Sequence, residues 1–329
     1  MKTKKSCGIL KTEVKNVKKI NGTFFEFYHH SLVGGKYMNG PSRAFTDEEW
    51  AAKINEIADT GMEYLLLMTS ALCYDEHSEI YFDYDLFPKA TMTAKAPMDT
   101  LFKVAQERGL KIFMACGVYG PWFRPYENMQ SDEVKARAFG AMKRLYELYG
   151  NSPAFYGWYL PDEVEAGPCF PQYFIDYVNE YTDFGRSIDP KLKMLIAPYG
   201  TNKIVADDRF VAQLRELKCD IIAYQDEVGV EKSTPKQTAE YFKTLKAAHD
   251  KAGKSRLWAD VETFAFEGAR YRSALVPADP DRLKAQLESV SPFVDEIIIY
   301  IYQCMMESPD AKATFGQRDA VKLYNRIFK

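Results

Sequence analysis

Two glutamates each follow an unbroken apolar run: Glu163 closes Gly157-Trp-Tyr-Leu-Pro-Asp-Glu163, and Glu262 closes Trp258-Ala-Asp-Val-Glu262. Carboxyl groups presented in this way can pass a proton to a leaving group, attack a carbon, or activate a water, and a pair of them flanking a glycosidic bond can hydrolyse it. The bland reading makes Glu163 a helix-capping loop carboxylate and Glu262 half of a surface ion pair. Asp226 and Glu227, in Tyr224-Gln-Asp-Glu-Val-Gly229, compete with Glu262 for the second role. The other polar and aromatic residues just past or ending apolar runs are His29, His30, Thr69, Tyr119, Trp122, Asp162, Tyr199, Gln225, Tyr302 and Gln303.

The runs that must position these residues alternate with amphipathic stretches along the whole chain, the pattern of repeated β/α units. Strands are expected at 23–30, 63–69, 111–119, 155–160, 193–197, 220–224, 256–261 and 296–302. Helices follow with recognisable ends: Thr46 and Glu49 form a capping box, as do Thr234 and Gln237 with Pro235 at the first helical position, and Gly61 and Gly109 stand as terminators. Eight such units predict a single (β/α)₈ barrel over 21–329, preceded by an N-terminal extension, 1–20. A barrel gathers the loops after its strands on one face, so residues there are candidates for the site. No glycine-rich first turn points to a doubly wound open sheet.

The chain has 329 residues, 47% hydrophobic and 27% charged, ample for a large core. A formal charge of −3 with dispersed Lys and Arg gives no electrostatic case for nucleic acid. No apolar stretch approaches the ~20 residues that cross a bilayer. Met1–Lys19 begins like a signal peptide but lacks the apolar run, so a cytoplasmic location is expected unless an export signal was removed. The six cysteines, Cys7, Cys73, Cys116, Cys169, Cys219 and Cys304, are scattered without a CxxC pair, which argues against disulfides and zinc. Four histidines without HExxH spacing predict neither metal nor organic cofactor. With 22 Tyr and 21 Phe, rings are plentiful. Trp50, Trp158 and Trp258 read as core, whereas Trp122, in a loop after strand three, reads as a platform for a sugar face. His29 and His30 would point to opposite faces of a continuing strand, leaving His30 or its neighbour, but not both, on the cavity. The loop from Tyr74 to Asp85 reads as a solvated insertion in preference to a rim or lid of the site. Carboxylates among rings, without a phosphate-binding loop or a strand-six lysine, suit an uncharged, hydroxyl-rich ligand: a carbohydrate.

The strand-four Gly157–Glu163 segment, the strand-six Tyr224–Gly229 segment and Glu262-Thr-Phe264 resemble an uncharacterised family of glycoside-hydrolase-like barrels, a domain of unknown function, over roughly 20–328. More distantly, the layout is similar to the clan A retaining glycosidases. That resemblance implies an acid/base at Glu163 and a nucleophile at Glu262. One position departs: clan A usually carries Asn where this chain has Asp162. An ionised Asp only accepts hydrogen bonds, and it would raise the proton affinity of Glu163 by repulsion. The expectation is a glycosidase cleaving an O-glycosidic bond, with a carbohydrate-binding barrel that has lost catalysis as the alternative. A lyase or isomerase would need a metal cluster or catalytic lysine.

Overall fold

Strands buried on both faces need helices on their outer side and a packed interior on the other, and a closed parallel barrel supplies both. A computed structural model describes residues 17–329. Cys7 and most of the 1–20 extension lie outside the described residues. The barrel strands are β1 (Ile20–Phe25), β2 (Tyr64–Leu67), β3 (Lys111–Ala115), β4 (Phe155–Leu160), β5 (Lys193–Ile196), β6 (Ile221–Gln225), β7 (Arg256–Glu262) and β8 (Glu296–Tyr300). They close in sequence order, with β8 paired to β1. All eight pairings are parallel. The chain is a (β/α)₈ barrel.

The main helices are α1 (Asp47–Asp59), α2 (Pro97–Arg108), α3 (Asp132–Tyr149), α4 (Gln172–Ile188), α5 (Asp208–Glu216), α6 (Pro235–Ala252), α7 (Pro280–Val290) and α8 (Ala320–Phe328). Both capping boxes form as read: Thr46 with Glu49 opens α1, and Thr234 with Gln237 opens α6. Gly109 ends α2 at φ +68, a conformation that carries little penalty only without a Cβ. No helix among the described residues is long and apolar enough to cross a membrane.

The barrel floor is aromatic. Trp258 lies 5.0 Å from Tyr64 and 6.0 Å from Phe113 between ring centroids, and Phe113 meets Tyr156 edge-on. Trp50, Trp158 and Trp258 are fully buried, as expected. Above this floor the register of the last strands sets the site: Gln225 pairs with Asp260, Asp260 with Ile298, and Glu262 with Tyr300.

Several boundaries depart from the sequence reading, β3 among them, which stops at Ala115 rather than Tyr119. β1 stops at Phe25 rather than His30, because side chains from elsewhere take over the backbone of Glu26 and His29. β8 ends at Tyr300, two residues short of Tyr302. The Tyr74–Asp85 loop is not a solvated insertion: Ala71–Cys73 pairs antiparallel with Ser78–Ile80, and Ile80, Tyr81 and Phe82 are buried. A second hairpin, Phe264–Phe266 with Leu275–Pro277, extends from the end of β7. Among the described residues Cys73, Cys116, Cys169, Cys219 and Cys304 are free.

Candidate active site

At the C-terminal mouth of the barrel lies a cavity of about 620 Å³. Its walls include Glu163, Glu262, Asp162, Thr69, Trp122, Tyr199, Gln225, His29 and His30 among the residues expected there, joined by Phe24, Asp260 and Tyr300.

Glu163 is carried just past β4 and caps no helix, since α4 begins only at Gln172 with Pro171 before it. Its Oε1 accepts a hydrogen bond from Gln225 Nε2 at 3.0 Å, and the same amide group donates to the Ala197 carbonyl at 3.1 Å. Gln225 therefore ties the acid to the ends of β5 and β6. Burial pushes the Glu163 carboxyl up to about 7, opposed by the Gln225 bond and by Lys232. Repulsion from Asp162 adds to the rise but is the smaller cause, so burial rather than the neighbouring aspartate accounts for most of the effect. Asp162 itself accepts from Asn128 Nδ2 at 3.3 Å and Tyr177 OH at 3.4 Å, and burial pushes it up to about 6.

Glu262 ends β7 and is only 3% exposed, which removes the surface ion pair as an account of it. Its Oε2 accepts the Val230 N–H at 2.8 Å. The close approach requires Gly229, whose hypothetical Cβ would lie 2.8 Å from Glu262 Cβ and 2.9 Å from Oε2. Burial, then the Asp226 carboxylate, holds Glu262 well above the usual carboxylate range, while the Val230 N–H and Arg282 favour its charged form. Trp122 stands over the entrance with its ring 4.4 Å from that of His30. Lys232 Nζ sits 4.9 Å over the Tyr199 ring.

Five residues read from the sequence as site candidates are not on the cavity wall. Asp226 is buried and committed: Oδ1 accepts the N–H groups of Val228 and Glu262, and Oδ2 accepts Gln286 Nε2 at 2.7 Å. Glu227 takes φ +55 and turns into the protein, where it accepts the Gly200 and Asn202 N–H groups and pairs with Lys232 at 3.0 Å. Tyr119 is buried with its OH 2.9 Å from Ser70 Oγ. Tyr302, lying beyond the true end of β8, donates to Glu56 Oε1 at 2.7 Å, and Glu56 is in turn paired with buried Lys53. Gln303 exchanges two hydrogen bonds with the backbone of Glu26, at 2.8 and 2.9 Å. In each case a short-range rule, polar residue after a strand, loses to a backbone or side-chain partner distant in sequence.

Residues missed by that rule carry a period-two signal instead. Asp260 lies two before Glu262 and shares its inward face, and Tyr300 is the β8 residue in register with Glu262. Asp260 is 3% exposed, and burial followed by Glu262, Asp226 and Glu163 holds it well above the usual carboxylate range. Asp260 Oδ1, Tyr159 OH and Thr69 Oγ1 are buried without a hydrogen-bond partner among the described residues. His29 joins His30 on the wall, because the chain has left the strand before either.

Glu163 after β4 and Glu262 at the end of β7 thus line one cavity at the mouth of an eight-stranded parallel (β/α)₈ barrel. The chain belongs to the DUF4434 family, a domain of unknown function, whose family model matches residues 20–313. No curated protein matches it in sequence. Among solved structures it is similar to a Bacteroides thetaiotaomicron protein provisionally described as an α-L-fucosidase, with a TM-score of 0.73 and 18% identity over 99% of this chain and 98% of that one. It is also similar to the endo-1,4-β-mannanase of Rhizomucor miehei, with a TM-score of 0.58 and 12% identity over 94% of each chain. A glycoside hydrolase family 5 protein from Bacteroides vulgatus gives a TM-score of 0.54 and 16% identity over 95% of this chain and 64% of that one. At these identities the likeness is one of fold.

Proposed function

We propose that the protein is a glycoside hydrolase that cleaves an O-glycosidic bond in an oligo- or polysaccharide, with Glu163 as general acid/base and Glu262 as nucleophile. The observation that carries the reading is that both carboxyl groups line one cavity, with Glu163 tuned by burial to about 7. A carboxyl group poised near neutrality can hold its proton until a leaving oxygen needs it. Trp122, Tyr199 and Tyr300 supply ring faces or edges for a sugar, and Asp260 Oδ1 and Thr69 Oγ1, without partners among the described residues, supply polar atoms for its hydroxyls. A retaining course needs carboxyl groups about 5–5.5 Å apart, and an inverting one about 6.5–9.5 Å; the proposal takes the retaining course. The test is release of reducing sugar from a glycan panel by the purified chain. No release from any member by wild-type protein, with sugars still bound, favours the alternative.

That alternative, carbohydrate binding without turnover, draws on one observation. Burial and Asp226 favour the neutral form of Glu262, in which it binds a hydroxyl group but does not attack carbon. Azide rescue of a Glu262→Ala variant separates the two, because an external anion restores turnover only where the lost carboxylate was a nucleophile.

A further inference from the structure

Glu26 meets His29 and His30, the two histidines that line the same cavity, although nothing in their spacing suggests a metal motif. We infer that they form a site for one divalent transition-metal ion of the zinc class. One potential ligand atom from each residue lies within 4.8 Å of the other two. Glu26 is 1% exposed, and its Oε2 has no hydrogen-bond partner among the described residues. That oxygen stands 4.0 Å from His29 Nδ1. Zinc bonds to imidazole nitrogen and carboxylate oxygen of about 2.0–2.2 Å span that gap with a small inward movement of the side chains. His29 Nδ1 now accepts the Ser31 N–H at 3.2 Å, a long bond that an ion on this nitrogen would replace. Two imidazoles and one carboxylate suit zinc and its neighbours, whereas magnesium and calcium prefer oxygen throughout.

The three residues are held as a built site is held. Gln303 clamps the backbone of Glu26 through both its N–H and its carbonyl. Asn39 does the same to His29, accepting its N–H at 2.8 Å and donating to its carbonyl at 3.1 Å. Tyr74 OH donates to the His30 carbonyl at 2.9 Å. The Asn39 clamp depends on Gly35, whose hypothetical Cβ would lie 2.7 Å from Asn39 Nδ2 and 2.8 Å from His29 Cβ. Tyr300 OH donates to Glu26 Oε1 at 2.8 Å, orienting the carboxylate so that Oε2 is the free oxygen. Such outer partners are what fix ligands in metal sites. Since His29 and His30 both line the cavity, the remaining coordination position opens toward whatever the cavity binds.

The inference stands apart from the hydrolase reading, because its test reads metal rather than turnover. The full chain is stripped with chelator and titrated with zinc by calorimetry, with native mass spectrometry for stoichiometry. One equivalent should bind, and Co²⁺ should give absorption bands of imidazole ligation. His29→Ala and His30→Ala should each weaken binding at least about tenfold, and Tyr300→Phe by roughly 10-fold through the lost outer hydrogen bond. His77→Ala, an exposed histidine elsewhere, should change nothing. Absence of binding at millimolar zinc would overturn the site, as would one-to-one binding that survives both His29→Ala and His30→Ala. Should either variant fail to fold, the Co²⁺ spectrum of the unaltered chain decides, and a spectrum without imidazole bands counts against the site.

Discussion

Gln225 and Glu163 are joined by a 3.0 Å hydrogen bond in which the amide donates to Oε1, and the same amide is anchored on the Ala197 carbonyl. The acid is thus fixed by β6, two strands away, rather than by its own loop. Gln225→Ala should lower kcat on a cleaved glycan with little change in melting temperature, because Glu163 would keep its burial but lose its orientation. The KM-against-kcat split checks this: a rise confined to KM would make Gln225 a substrate contact instead.

Glu163→Gln should retain fold and glycan binding yet lower kcat by about 10²–10⁴-fold on substrates with poor leaving groups. Aryl glycosides with good leaving groups should lose far less. Equal losses on both would remove Glu163 from the proton-donor role.

The pH profile should be a narrow bell near neutrality. As the acid, Glu163 is active while protonated, so activity falls as pH rises through about 7. Glu262 must be ionised, and because burial and Asp226 raise its proton affinity, activity should fall on the acid side above the ordinary carboxylate range. The alkaline limb should vanish in Glu163→Gln. An alkaline limb unmoved by that substitution would assign it to another group.

Stability should show the reverse side of the same tuning. A carboxyl group raised from 4.5 to about 7 in the folded state binds its proton more tightly there than in the unfolded chain. Its ionisation therefore destabilises the fold as pH rises through that interval. Glu163→Gln should stabilise the protein at pH 8 by about 3 kcal/mol, and hardly at all at pH 4. Denaturant titrations at the two pH values measure the difference.

Trp122→Ala and Tyr302→Phe should separate cleanly. The first should weaken glycan binding roughly 2- to 10-fold while leaving the melting temperature nearly unchanged. The second removes a buried hydrogen bond to Glu56 and should cost about 1–3 kcal/mol of stability without altering activity. A binding defect in Tyr302→Phe with normal stability would restore it to the cavity.

The sequence was most legible where local rules govern. The apolar run of β4 has the expected limits, Phe155–Leu160, and the Thr46 and Thr234 capping boxes form from residues three apart. Glu163 and Glu262 were found because barrel strands deliver their ends to one face. Legibility failed where partners come from far along the chain. Glu26 and His29 read as strand, but Gln303 and Asn39 take the backbone donors that a strand would use. Asp226 and Glu227 read as candidates for the second catalytic carboxyl, but backbone N–H groups from β7 and from the turn after β5 claim them. Tyr302 was assigned to the cavity by extending β8 two residues too far. No short motif encodes such pairings, since they depend on which loops the closed barrel brings together.

Closure of the barrel joins Gly22 and Thr23 to Ile298 and Ile299, the two ends of the described chain. During synthesis β1 emerges first and must wait for nearly all the remaining residues before its second neighbour exists. Until then one edge of the growing sheet stays unpaired and able to recruit another chain. The hydrogen-bonded ring can therefore close only once β8 itself has been made. A chain stopped short of β8 has no seam to shut, however well its first seven strands have formed.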